Sequence, residues 1–141
     1  MKNTPYIEWD DENKVATCVL YYKNKVFYGM ATCHPDDMDF ANEYTGEHIA
    51  YLRAMIEALN WERDCEIKPA LAALKQVYYS MNHSKKYNPK SYEAKMLRRQ
   101  IRSLENELAA VNADLAAERT SLSEYLKAKD RLYTKLRAKN Q

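Results

Sequence analysis

The sequence predicts an α+β protein: a small N-terminal antiparallel β-meander packed on a helix, followed by a long C-terminal helix that forms a helical hairpin or coiled coil. Three observations lead there. Residues 5–33 hold three short runs rich in Val, Tyr, Thr and Cys, separated by polar turn residues. After Pro89 there is neither Gly nor Pro. From Leu97 to Leu136 apolar residues return every three or four positions, the spacing of a narrow helical seam.

Pro5 to Trp9 reads as a strand, and Asp10-Asp11-Glu12-Asn13-Lys14 as the turn that ends it. Val15 to Tyr22 is β-rich, with Val15, Thr17, Val19 and Tyr21 on one face and Ala16, Cys18, Leu20 and Tyr22 on the other. Lys23-Asn24-Lys25 is a tight connection, because Asn tolerates positive φ. Val26 to Cys33 returns as the partner strand. One face of the hairpin should meet the first helix. The other, with Val19, Tyr21, Tyr28 and Met30, needs a second cover: a partner subunit, a ligand or the chain's own C-terminal half.

His34-Pro35-Asp36-Asp37-Met38-Asp39 is a loop, since Pro35 has no N–H for a ladder and the acidic run prefers water. Asn42 or Thr45 caps a helix from about Gly46 to Arg63, with Ile49, Leu52, Ile56 and Leu59 on its core stripe. Pro69 predicts a break or kink near Ile67. A second helical piece carries Leu71, Leu74, Val77, Tyr78 and Met81 in phase. Asn82 to Lys90 has loop composition, and Ser91 caps the long helix.

The long helix reads as a heptad, with Ile101, Leu108, Leu115 and Leu122 at a and Leu97, Leu104, Val111, Tyr125 and Leu132 at d. Glu118 and Lys129 are polar breaks that set register. The helix would span roughly 70 Å at 1.5 Å per residue, more than the preceding helical pieces can cover. The expectation is a homo-oligomer, dimeric or higher, assembled through Ile101, Leu104, Leu108, Val111, Leu115 and Leu122.

The 141 residues suffice for one modest domain plus a helical extension. The expected division is an acidic meander and first helix over residues 1–66 and a basic helical stalk over 67–141. Residues 1–66 carry 13 Asp/Glu against 6 Lys/Arg, and residues 67–141 carry 7 against 16, so the net charges are −7 and +9. No stretch is apolar enough for a membrane span, and the N-terminus lacks an apolar signal core, which predicts a cytoplasmic protein. Cys18, Cys33 and Cys65 show no CxxC spacing and fit free thiols.

Two surfaces are candidates for binding. Lys85, Lys86, Tyr87, Tyr92, Arg98, Arg99 and Arg102 interleave cations with aromatic rings, which suits phosphates and stacked bases. Asp36, Asp37 and Asp39, with Arg53 reaching back from the helix to pair with Asp37 or Asp39, form the second. An acidic head of this kind could also imitate nucleic acid. The carboxylates match no calcium loop and the histidines form no zinc cluster, so no metal and no cofactor are expected. No pairing of nucleophile and base appears, so no catalytic residue is expected.

The pattern Gly29-x-Ala31, Pro35-x-Asp37, Gly46, Ala50, then Arg53-Ala54 resembles small accessory proteins of bacteriophages and prophages. It is also similar to small bacterial domains with a ββα arrangement like that of double-stranded-RNA-binding domains. The resemblance covers about a quarter of the chain and none of the long helix. It implies a phage-encoded protein that counteracts a host defence system, as an inhibitor of the anti-CRISPR kind or by sequestering a nucleotide signal. The partner would be a host defence protein, a nucleotide or a nucleic acid in the host cytoplasm. The other functions the residues allow are a nucleic-acid-binding regulator using the basic Tyr/Lys/Arg region, and a structural phage component that uses the coiled coil for assembly.

Overall fold

The computed structural model describes residues 4–33, 37, 41–84 and 86–139. The class is α+β, as the sequence predicts. Strands β1 (Thr4–Asp10), β2 (Val15–Tyr22) and β3 (Lys25–Thr32) form a three-stranded antiparallel sheet in the order β1-β2-β3. Helices α1 (Glu43–Trp61), α2 (Lys68–Asn82) and α3 (Tyr92–Lys139) follow, with a π-helical stretch Glu62–Ile67 joining the first two.

Turn chemistry sets the register of the meander. The Asp10 carboxylate accepts the backbone N–H groups of Glu12 at 3.0 Å and Asn13 at 3.1 Å, and the Asn13 amide at 2.8 Å. The bonds from Asn13 hold its pKa below the usual carboxylate value. Lys23 and Asn24 both lie in the left-handed region, at φ 48° and 63°, and Tyr22 pairs with Lys25 across them. Two consecutive positive φ values define the type I′ turn, which matches the twist of a hairpin. Glycine is the preferred second residue of that turn, so Asn24→Gly should stabilise the protein by about 0.5–1 kcal/mol. A thermal melt that fails to rise would argue against the turn assignment.

The chain forms two compact units, Met1–Ala58 with Leu115–Gln141, and Leu59–Asp114. The boundary expected at residue 66 therefore falls inside the second unit. In the first unit, the inner sheet face carries Ala16, Cys18, Leu20 and Ala31, which are buried together with Ile49, Ala50, Ala54 and Ala58 of α1. Small side chains on both sides bring helix and sheet close. Leu122, Tyr125 and Leu126 of α3 also pack against this core. The C-terminal part of α3 thus brings its cations into the same unit as the acidic sheet. That unit holds 13 Asp/Glu and 12 Lys/Arg, so the charge asymmetry along the sequence is largely neutralised within one chain.

In the second unit the expected break before Pro69 is replaced by a wider helical turn. The Lys68 N–H donates to the Arg63 carbonyl five residues back, and Pro69 sits in the first turn of α2. A proline there has no N–H to satisfy and its ring would collide with the carbonyl four residues earlier. The wider turn accommodates both facts without ending the helix. Among the described residues, no helix is long and apolar enough to cross a membrane.

The chain itself buries part of the heptad seam. Leu97, Val111 and Leu115 are buried in the single chain, and Ile101, Leu104, Leu108 and Leu122 are half-buried. The cover that the sequence leaves to a second copy is supplied, around Leu122, by the chain's own sheet-and-helix core.

Candidate functional site

Three places collect the side chains that could bind something. The first is the start of α3. Ser91 Oγ accepts the Ala94 N–H at 3.2 Å and caps the helix, as its sequence position predicts. Arg98 turns back and donates from Nη2 to the Pro89 carbonyl at 2.8 Å. The Tyr78 and Tyr87 hydroxyls share a hydrogen bond that lowers the Tyr78 pKa and raises that of Tyr87, and Arg98 also contacts both phenols. Tyr87 and Arg98, expected as ligand contacts, thus hold the loop before α3 in place.

The remaining cations of this region are differently placed. Lys95, Arg99 and Arg102 are exposed, and with Arg98 they line a shallow depression of about 160 Å³. Spacings of four and three residues put Lys95, Arg99 and Arg102 on one side of the helix. Tyr92, 72% exposed, continues the same line three residues earlier. Among the described residues these three cations take part in no ion pair, whereas Lys75 meets Glu105 at 3.9 Å. Lys86 is exposed on the loop, and Lys85 lies outside the described residues. From Lys75 to Arg102 the sequence has eight Lys/Arg and a single acidic residue, Glu93.

The second place is Asp37. Its carboxylate side chain is only 4% exposed, and Arg137 grips it with both nitrogens of one edge, Nε at 2.5 Å and Nη2 at 2.6 Å. The expected pairing of Asp37 with Arg53 is therefore corrected. Arg53 Nη1 donates to the Met30 carbonyl at 2.7 Å and ties α1 to β3. A carboxylate this buried is a fastening point rather than part of an open acidic surface. Asp36, Asp39 and His34 lie outside the described residues.

The third place is the outer face of the sheet, whose large side chains stand open among the described residues of the first unit. Tyr6, Tyr21, Val26, Tyr28 and Met30 are 40–63% exposed there. Tyr6, Val19 and Tyr28 pair across the three strands in one row, and Glu8, Thr17 and Met30 form the next. The Tyr6 hydroxyl donates to Glu8 at 2.8 Å. Within the first unit, the C-terminal part of α3 packs against the inner core and leaves these side chains exposed. Tyr6 escapes the sequence reading, although strict alternation along β1 places it opposite Val19.

Cys18, Cys33, His48 and Lys129 take part in packing or hydrogen bonding within the first unit. Cys18 is fully buried, and burial pushes its thiol upward, as it does that of half-buried Cys33. His48 lies between the rings of Tyr44, at 4.2 Å, and Tyr125, at 5.2 Å. Lys129 donates to the Thr32 carbonyl at 3.5 Å. Among the described residues no three His, Cys, Asp or Glu side chains are grouped to hold a metal. No protein-family model, curated protein or solved structure matches the chain.

Proposed function

We propose that this is a non-catalytic binding protein whose working surface is the cationic stripe of α3, and that its ligand carries a row of phosphates. The observation behind this reading is the set Lys95, Arg99 and Arg102, unpaired among the described residues, beside the exposed ring of Tyr92. Cations that no described carboxylate neutralises keep their field for an incoming anion, and an open phenol offers a base a stacking surface. The three cations extend over about 10 Å of helix, enough to meet successive phosphates of a single strand or a compact nucleotide. The resemblance to phage accessory proteins supplies the biological setting. Such a protein works in the host cytoplasm, where it withholds a nucleotide signal or screens a nucleic acid from a defence nuclease.

The test is fluorescence anisotropy with a labelled single-stranded oligonucleotide and a labelled nucleotide. Three phosphate contacts on a single strand predict that raising salt from roughly 50 to 200 mM weakens oligonucleotide binding by about twentyfold. Arg99→Glu combined with Arg102→Glu should abolish binding while leaving the melting temperature unchanged, because both side chains are exposed. A wild type that binds neither probe at low salt, or a folded double mutant that binds as well as wild type, overturns the reading.

A further inference from the structure

We infer that the outer face of the sheet is the contact surface of a homodimer, in which two copies stack face to face with their strands antiparallel. The face is uneven along the strand direction. At the β2–β3 turn end it carries large side chains: Tyr21 and Val26 in one row, Tyr6 and Tyr28 in the next. At the β1–β2 turn end the side chains are smaller. Val15 and Thr17 there form the floor of a shallow depression bordered by Glu8, Asp10, Asn13 and Met30. One half is a tyrosine ridge and the other a dish.

A two-fold axis lying between the sheets and perpendicular to the strands places each ridge in the opposing dish. An interface of this type is isologous, so each feature is used twice. The alternative two-fold, parallel to the strands, stacks ridge on ridge and leaves the dishes empty.

Charge selects the same arrangement. Glu8, Asp10, Asp11 and Glu12 outnumber Lys14, which pairs with Asp11, at the dish end, whereas Lys23 and Lys25 lie at the ridge end. The antiparallel stack brings lysines toward carboxylates at both ends. The parallel stack sets like charges against each other at both ends. Tyrosine and methionine are the residues that interface centres favour, and the four rows of this face carry no Lys or Arg. That absence also sets the face apart from a nucleic-acid platform, which needs cations beside its rings.

The area sets the expected strength. Three strands of seven or eight residues present a flat footprint of about 400 Å², so two copies bury on the order of 1,000 Å² once side chains interdigitate. This is the lower end for a specific interface, and it implies a dimer that forms and dissociates in the micromolar range.

Sedimentation equilibrium of the full chain, from micromolar to about millimolar concentration, should show a monomer–dimer equilibrium. Tyr28→Asp, on an exposed position of an edge strand, should weaken dimerisation at least tenfold with no change in circular dichroism. Tyr6→Asp is the second variant, should the first fail to fold. Reversing the ridge-end charge with Lys25→Glu should weaken the dimer further as salt is lowered. A wild type that stays monomeric over the whole range overturns the inference. So does a dimer whose dissociation constant is unchanged in either folded aspartate variant, which would place the contact on the helices or on a strand edge.

Discussion

Replacing Gly29 by alanine should remove about 3–5 kcal/mol of stability, the largest effect expected of any single methyl group in this protein. A Cβ at Gly29 would lie 2.6 Å from the backbone nitrogen of Ala54 and closer still to the carbonyl oxygen of Ala50. Both obstacles are backbone atoms of α1, so relief requires the whole helix to lift from the sheet. Lifting it would open voids around Ala16, Cys18 and Ala31, and such voids add their own cost. Gly46 is the internal control. There a Cβ would meet the Trp9 ring at 3.0 Å, and the edge of a side chain can yield where a backbone cannot. Alanine also favours the helix by about 1 kcal/mol over glycine, so Gly46→Ala should be close to neutral. Urea denaturation of the two variants makes the comparison. Equal midpoints would show that α1 does not approach β3 as closely as described.

The second large effect is expected at Arg137. Truncation to alanine leaves the Asp37 carboxylate buried without its guanidinium, which should cost about 2–4 kcal/mol. Arg137→Lys retains the charge and loses the two-pronged grip, so an intermediate loss is expected. Hydrogen exchange distinguishes a local from a global consequence. Amides over the last two turns of α3 should exchange faster in the alanine variant than those of β2. A variant as stable as wild type, with unchanged exchange at the end of α3, would show that the pair contributes nothing.

The sheet was legible because each of its signals is local. Asp10 and Asn24 mark turns by their own chemistry, and alternation along Val15–Tyr22 separates the two faces. The small residues Gly29, Ala50 and Ala54 stand in the sequence pattern, and the structure shows them as the close fit of α1 on the sheet. The partner of Asp37 was not. Arg53 lies nearby in sequence, whereas Arg137 lies 100 residues away, and no spacing rule reaches that far.

The heptad misled in a more instructive way. It assigns Leu132 to the seam, yet Leu132 is 47% exposed and its neighbour Tyr133 is 4% exposed. Tyr133 follows the buried Leu115 by 18 residues, which is five whole turns at about 3.6 residues per turn. A strict heptad holds only where helices supercoil, and otherwise the buried line drifts by about 20° per repeat. The buried position therefore moves from d to e along α3. At the start of α3 the cations were visible by composition, but composition could not separate Arg98, engaged with Pro89, from Arg99 and Arg102, which remain open.

The distance in sequence between Asp37 and Arg137 has a consequence for biosynthesis. At about 5–20 residues per second, a ribosome needs roughly 5–20 s to make the 100 residues that separate them. During that interval the sheet and α1 exist without Leu122, Tyr125 and Leu126, and part of their apolar core faces water. Every nascent chain thus passes through a sticky, half-covered stage whose length is set by translation. Synonymous codon changes over residues 59–114, which leave the mature protein identical, should alter the yield of native material by lengthening or shortening that stage.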